Sequence, residues 1–322
     1  MKKRILGKTG WSVSEIGFGG WGIGKTWWGK TDDDESLGAL RTAWEQGINF
    51  FDTAYVYGDG HSEKLMAQAL RGKAALIATK IPPKNQQWPP TSKTKIQDAF
   101  PSDWIISCTE RSLKNLERDT LDLTQFHVWT DEWLNQDEWK ETIAKLKQQG
   151  KIRAFGVSIN DHQANSALKL VASGLVDTIQ VIFNIFDQSP REALFPLCHK
   201  HEVGVIVRVP FDEGGLTGTL TKESLFDEGD FRRQYFRGDN LRQTVERVER
   251  LKSFVGNGIK SLPELALKFV LSFDEVSVVI PGMRKKEHVI HNVSFSNAPL
   301  KKDVKDALKT HAWQRNFYDW WE

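Results

Sequence analysis

The stretch GINFFDTAYVYGDGHSEKLMAQAL, Gly47–Leu70, decides the fold. An apolar run (Ile48, Phe50, Phe51) ends at Asp52, a short loop with glycines carries Tyr55 and Tyr57, and a polar helix start follows at His61, Ser62 and Glu63. That is strand, loop, helix, with an acid on the last strand position and a phenol just beyond it. Chemistry-bearing residues at the carboxyl end of a strand are the mark of a site built on a parallel barrel rather than of core packing.

Working outward, the same pattern recurs. AALIATKI, Ala74–Ile81, reads as a buried strand ending near Lys80, and LDLTQFHVW, Leu121–Trp129, as another with His127 near its end. Further strands are expected at Ser14–Gly19, Ala154–Ile159, Thr178–Phe183, Gly204–Val209 and Val276–Ile280. Amphipathic helical stretches fall between them, at Asp34–Gln46, Ser62–Leu70, Asp103–Leu116, Glu138–Gln148, Asp161–Ala172, Pro190–His199, Leu241–Phe254 and Leu262–Ser272. Regular alternation needs a parallel sheet with crossover helices, and eight such units favour an α/β (β/α)8 TIM barrel. No linker divides residues 1–322, so a single domain is expected. The longest irregular stretches, Asn85–Thr91 and Leu216–Asn240, follow strands and belong on the active face. Helices are expected from Lys286 and Asp303, and the aromatic end HAWQRNFYDWWE is expected to dock on the barrel.

Asp, Tyr, Lys and His on one barrel face make a coherent set. A free phenol, with a pKa of about 10, is a poor acid at neutral pH. An ammonium from Lys80 lowers that value, Asp52 holds the ammonium charged and oriented, and His127 donates to the same substrate oxygen. The set reads as a proton donor for a carbonyl undergoing reduction.

Composition narrows the partners. A formal charge of +2 with acids and bases interspersed gives no electrostatic case for nucleic acid or an anionic membrane. The basic start MKKRILGKTGWS lacks the apolar stretch of a signal peptide, and no run reaches the roughly eighteen apolar residues of a membrane span. Cys108 and Cys198 are the only cysteines, too few for a disulfide framework. These readings lead to the expectation of a cytoplasmic monomer or small homo-oligomer with a small-molecule substrate.

Two motifs compete and lose. Gly17, Gly19 and Gly22 spell GxGxxG, but no helix opens inside it and the next strand-end acid, Asp52, lies beyond the roughly twenty-residue spacing of a Rossmann site. Cys198, His199 and His201 cluster at a helix end without the partner ligands that a metal site needs, so no metal is expected. The thirteen tryptophans are harder to dismiss. Trp21, Trp28 and Trp88 follow the first and third strands, where aromatic faces can line a substrate pocket; plain packing is the competing reading.

Nearly the whole chain resembles the aldo-keto reductases. KRILGKTGWSVSEIGFGGWGIG is similar to that family's N-terminal β-hairpin and first barrel strand, GINFFDTAYVYG to its Asp and Tyr motif, IATK to its Lys and LDLTQFHVW to its His. The resemblance implies a barrel with an N-terminal hairpin and extra C-terminal helices, and a nicotinamide cofactor. It makes Tyr57 the general acid, tuned by Asp52 and Lys80, with His127 orienting the carbonyl. It also places Trp21 beside the cofactor and substrate, Ser158, Asn160 and Gln180 at the carboxamide, and Gly214, Leu216 and Gly218 of GGLTG in a pyrophosphate loop. Gly282, Arg284 and Asn292 would hold the adenosine end.

Arg284, Lys285 and Lys286 open a helix, where cations oppose the dipole at roughly 0.3–1 kcal/mol each. A docked anion removes that conflict. The resemblance makes that anion the adenosine phosphate, with Arg284 on the 2′-phosphate, and so implies that NADP(H) is favoured over NAD(H). The chain departs from the family in three places. Ile159 separates Ser158 from Asn160, Arg208 stands where a ring-stacking tyrosine is usual, and His288 and His291 replace the usual adenine-side residues. If Arg208 does not cover the nicotinamide, it is expected to meet a phosphate or an acid such as Asp212 or Glu213. The reading is therefore an NADPH-dependent reductase of aldehydes and ketones, including sugars or aromatic aldehydes, working in either direction. The alternative is a cofactor-binding redox sensor with little turnover.

Overall fold

A computed structural model describes residues 1–25, 27–29, 31–256, 258–297 and 299–318. Two strands, β1 (Lys3–Ile5) and β2 (Ser12–Ser14), pair antiparallel as a hairpin. Eight strands follow in chain order and pair in parallel: β3 (Phe18–Gly19), β4 (Phe50–Asp52), β5 (Leu76–Ile81), β6 (Leu121–Phe126), β7 (Ile152–Ser158), β8 (Thr178–Ile182), β9 (Gly204–Arg208) and β10 (Val276–Val279). Parallel bridges from Ile16 to Val279 and from Gly19 to Gly282 join the first and last of these strands, so the sheet curls into the (β/α)8 barrel. The helices of the crossovers pack outside it.

Residue alternation along each strand produces the site. Inward positions carry Phe50, Ala78, Leu123, Ala154, Ile206 and Val278 in one apolar layer near the amino ends, which Leu6 and Val13 of the hairpin close from below. Two residues further along β4, β5, β6, β7 and β9, the same inward face carries Asp52, Lys80, Gln125, Gly156 and Arg208. The apolar floor thus supports a polar layer one step nearer the carboxyl ends.

The expected strand Ser14–Gly19 is two pieces, because Ser14 pairs with Lys3 in the hairpin, its amide donating to Asn49 Oδ1 just before β4, and the barrel strand begins only at Phe18. The expected helix Asp161–Ala172 shrinks to a 3₁₀ turn, Ala164–Ala167, and a helix, Leu168–Ser173. Its predicted start is occupied by other work: Asn160 binds the Trp129 backbone, Asp161 pairs with Arg208, and His162 adopts φ 55° to reach Asp187. Trp313, Phe317 and Tyr318 pack on the barrel's aromatic top, as expected for the chain's aromatic end; Asp319–Glu322 lie outside the described residues.

Candidate active site

The centre of the site is a buried ion pair. Lys80 Nζ donates to Asp52 Oδ1 at 2.5 Å and to the Thr53 carbonyl at 2.8 Å, and its side chain is fully buried. The other carboxylate oxygen of Asp52 accepts from Gln180 Nε2 at 2.7 Å and from Gln125 Nε2 at 3.4 Å. Buried charges need this degree of pairing and hydrogen bonding to be tolerated.

Tyr57 stands above the pair. A turn, with the Tyr57 amide on the Ala54 carbonyl at 3.0 Å, brings its hydroxyl to 3.4 Å from Lys80 Nζ. Gly58 next to it takes φ 70°, and a Cβ there would meet the Gly24 carbonyl oxygen at 2.0 Å, so only glycine lets the tyrosine turn seat against the loop after β3. His127, just past β6, presents its ring edge-on to Tyr57 with centroids 5.9 Å apart.

The electrostatics differ from the sequence expectation in one respect. Burial, reinforced by the Asp52 charge and opposed by Arg208, pushes the Tyr57 phenol well above its ordinary value. Lys80 does not act on it as a free cation, because Asp52 neutralises the ammonium at contact distance. The phenol therefore stays protonated at neutral pH, loaded as a donor. Burial, with Lys80 and Arg208 adding repulsion, holds His127 well below the usual histidine range. It is a neutral imidazole with a single N–H to donate. Burial also lowers Lys80, with Asp52 opposing.

Aromatic rings frame the opening. Trp21 lies 6.2 Å from Tyr57 in a stacked arrangement and 4.7 Å from Phe231, while Trp28 meets Trp21 edge-on at 5.4 Å. Trp88 stands edge-on to His127 at 4.6 Å. All three tryptophans expected at the pocket are thus beside the tyrosine and histidine or in contact with a ring that is.

The cofactor candidates fall into three groups. Ser158 Oγ donates to Gln180 Oε1 at 3.4 Å, next to the Asp52 network. Asn160 is fully employed elsewhere: its amide nitrogen donates to the Trp129 carbonyl and to Gln163, and its oxygen accepts from the Trp129 amide. Around the rim, Gly282 faces open space, Asn292 is buried on the helix Lys286–Val293, and Arg284 Nη1 donates to the Trp28 carbonyl at 3.0 Å. After β9, Gly214 lies in a kink that interrupts the 3₁₀ turns of Asp212–Thr217, Leu216 is buried in the turn that follows, and Gly218 caps it.

Arg208 meets an acid, though neither of the two named from the sequence. Its Nη2 binds Asp161 at 2.7 Å and the Ile159 carbonyl at 2.9 Å, not Asp212 or Glu213. Asp212 instead pairs with Arg315, and Glu213 accepts from the Tyr318 hydroxyl. Sequence reasoning missed Gln125, Asp161, Arg315 and Tyr318. Gln125 was legible in principle, being two residues before His127 on the same inward face; the others are joined only by the folded loops.

Glu213 yields a pH prediction. Burial pushes its carboxyl up to about 8 from 4.5, with the Tyr318 bond opposing and the Asp212 charge adding. A raised acid pKa means that the folded state keeps a proton that the unfolded state has lost. Its stabilisation is complete below pH 4.5 and declines as pH climbs to about 8. Thermal melts should show wild type losing more stability than Glu213→Gln between these limits. Parallel pH profiles for the two proteins would refute the assignment.

With this geometry in view, comparison with known proteins identifies the kind of molecule. Residues 15–312 match the Aldo/keto reductase family. The chain belongs to that family. It is 30% identical over 295 residues to aldo-keto reductase YhdN of Bacillus subtilis, covering 88% of this chain and 86% of that protein. It is 27% identical to the NADH-specific methylglyoxal reductase of Escherichia coli, covering 96% of this chain and 100% of that one. Among solved structures, the glycerol dehydrogenase AKR11B4 of Gluconobacter oxydans superposes with a TM-score of 0.78 at 27% identity, covering 96% of this chain and 94% of that one. The protein is therefore an NAD(P)H-dependent oxidoreductase of the aldo-keto reductase type. Among the described residues, no helix is long and apolar enough to cross a membrane.

Proposed function

We propose that the chain reduces aldehyde and ketone carbonyls, or oxidises the corresponding alcohols, with Tyr57 as the acid and NADP(H) favoured over NAD(H). The observation that carries this reading is the convergence of a protonated phenol and a neutral imidazole over a neutralised Lys80–Asp52 pair. When bound, the nicotinamide supplies or accepts the hydride. Tyr57 gives its proton to the carbonyl oxygen, and His127 donates its N–H to the same oxygen and fixes its position. The Lys80–Asp52 pair keeps the Tyr57 hydroxyl in place and supplies a polar wall that does not carry net charge. Trp21, Trp28 and Trp88 offer aromatic faces to the rest of the substrate, which suits a sugar or an aromatic aldehyde.

The residues present fit a dinucleotide. Arg208 Nε and His127 Nδ1 are buried polar atoms without a partner among the described residues, and Gly282 leaves open space where a chain of phosphates could approach. Ser158 and Gln180 would hold the carboxamide and Arg208 would lie beside the ring. Gly214, Leu216 and Gly218 would line the pyrophosphate, and Arg284 and Asn292 the adenosine end. Asn160 would act through Trp129 rather than on the cofactor.

Turnover of an aldehyde panel with NADPH and with NADH tests the reading directly; tight cofactor binding with negligible turnover would favour a redox sensor instead. The same assay addresses Arg284. Burial and the nearby Arg232 charge hold its guanidinium below its usual range, the condition in which an added phosphate is most favourable. A charge-assisted contact is worth about 1.5–3 kcal/mol, so Arg284→Ala should weaken NADPH by about ten-fold or more and leave NADH nearly unchanged. Equal loss for both cofactors would remove the 2′-phosphate from the argument.

A further inference from the structure

The loop after β9 is held in an unusual backbone state. Val209, Asp212 and Glu213 take φ of 55°, 51° and 54°, and Gly214 follows at 98°. Side-chain-bearing residues avoid this region, so a run of them persists only where surrounding contacts impose it. The contacts on Asp212 and Glu213 come from the segment Trp313–Tyr318, about a hundred residues away in sequence. Arg315 Nη2 binds both carboxylate oxygens of the fully buried Asp212 at 2.5 Å, and Tyr235 adds a hydroxyl donor at 3.1 Å. The Tyr318 hydroxyl donates to Glu213, the next residue. The segment is itself anchored. The Trp313 amide donates to the Phe186 carbonyl at 2.8 Å, Phe317 packs on Tyr235 at 5.3 Å, and the Arg315 guanidinium lies 4.3 Å from the Trp313 ring and 4.6 Å from that of Phe317.

We infer that Trp313–Tyr318 is a strap that holds the Asp212–Gly218 loop shut, and that Arg315 is the positioning residue that sets how fast cofactor leaves. The inference rests on the proposed reading of Gly214–Gly218 as the pyrophosphate loop. The physical reason lies in Asp212. Without Arg315 its carboxylate would be buried with one neutral donor among the described residues, and it would have to take up a proton or turn outward to water; either way the ionic hold of the strap on the loop is lost. Asp212 lies directly before the kink at Glu213 and Gly214 that leads into Leu216, so freeing it removes the contact that holds that kink and lets the loop move. Loop opening of this kind gates ligand release without touching the chemical step.

The experiment compares wild type, Arg315→Met and Arg315→Lys, with full-length protein and NADPH as the probe. Three quantities are read: the NADPH dissociation rate by stopped-flow fluorescence, hydride transfer in a single turnover at saturating NADPH, and amide hydrogen exchange over residues 212–218. Arg315→Met should release NADPH about ten-fold faster, equivalent to about 1.4 kcal/mol, and exchange faster in the loop. The single-turnover rate should stay near wild type, and Arg315→Lys should recover much of the loss. A general loosening of the fold would slow hydride transfer too and would not be rescued by charge, and that result overturns the inference. Unchanged exchange and unchanged release would overturn the strap itself. Faster exchange with unchanged release would show that the strap works but that the loop is not the pyrophosphate loop, which overturns the cofactor reading. If Arg315→Met fails to fold, Arg315→Gln, which keeps a neutral donor but removes the charge that pairs with Asp212, takes its place, and the same three readings apply.

Discussion

Replacing Tyr57 by phenylalanine should lower carbonyl reduction by about 10²–10⁴-fold, the range expected when a positioned general acid is lost, and leave NADPH affinity nearly intact. The change removes one oxygen and keeps the ring. The stacking of Tyr57 with Trp21 at 6.2 Å and its edge contact with His127 at 5.9 Å should therefore survive. Among the described residues the hydroxyl is held by one weak contact, Lys80 Nζ at 3.4 Å, so little stability is at stake. The phenol is pushed well above its usual pKa by burial and by Asp52, so wild-type activity should not fall on the alkaline side through loss of this proton until well above the ordinary phenol range. Steady-state turnover and fluorescence titration with NADPH decide the matter. Turnover in Tyr57→Phe near that of wild type would mean that another group, the Lys80 ammonium or His127, supplies the proton.

How far the sequence revealed this site depends on which residues are meant. Asp52, Lys80 and His127 were legible because each sits at the end of an apolar run, and a parallel barrel gathers all such ends on one face. The barrel followed from the same runs, since eight of them alternate with helical stretches. The tuning of Tyr57 was not legible. Sequence order places an ammonium near the phenol, but only the 2.5 Å contact between Lys80 and Asp52 shows that the ammonium is neutralised before the phenol feels it. Arg208 was conspicuous from its position, yet its partner Asp161 emerged only once the backbone between Asn160 and Gln163 proved to be a turn rather than the start of a helix. Arg315 and Tyr318 gave no local signal at all. They are aromatic-segment residues whose role comes from carboxylates more than a hundred positions earlier, and periodicity carries no information about such pairings.

Lys80→Met should be the most damaging single substitution. It leaves Asp52 as a buried carboxylate with only two glutamine amides, Gln180 at 2.7 Å and Gln125 at 3.4 Å, to replace a contact ion pair. Breaking a buried pair by removing one partner typically costs about 3–5 kcal/mol, because the remaining charge is uncompensated. Turnover should fall with it, since the Tyr57 hydroxyl loses its neighbour and the carbonyl would be protonated beside an unbalanced negative charge. Stability and catalysis are separable here. Asp52→Asn/Lys80→Met removes both charges and approximately preserves volume, so it should recover much of the lost stability in denaturant melts. Reductase turnover should stay low, because the group that holds the phenol is still missing. A double variant as unstable as Lys80→Met would show that the lysine is needed for packing rather than as a counter-charge. A double variant that regained turnover would show that Tyr57 needs a neutral floor beneath it and nothing more.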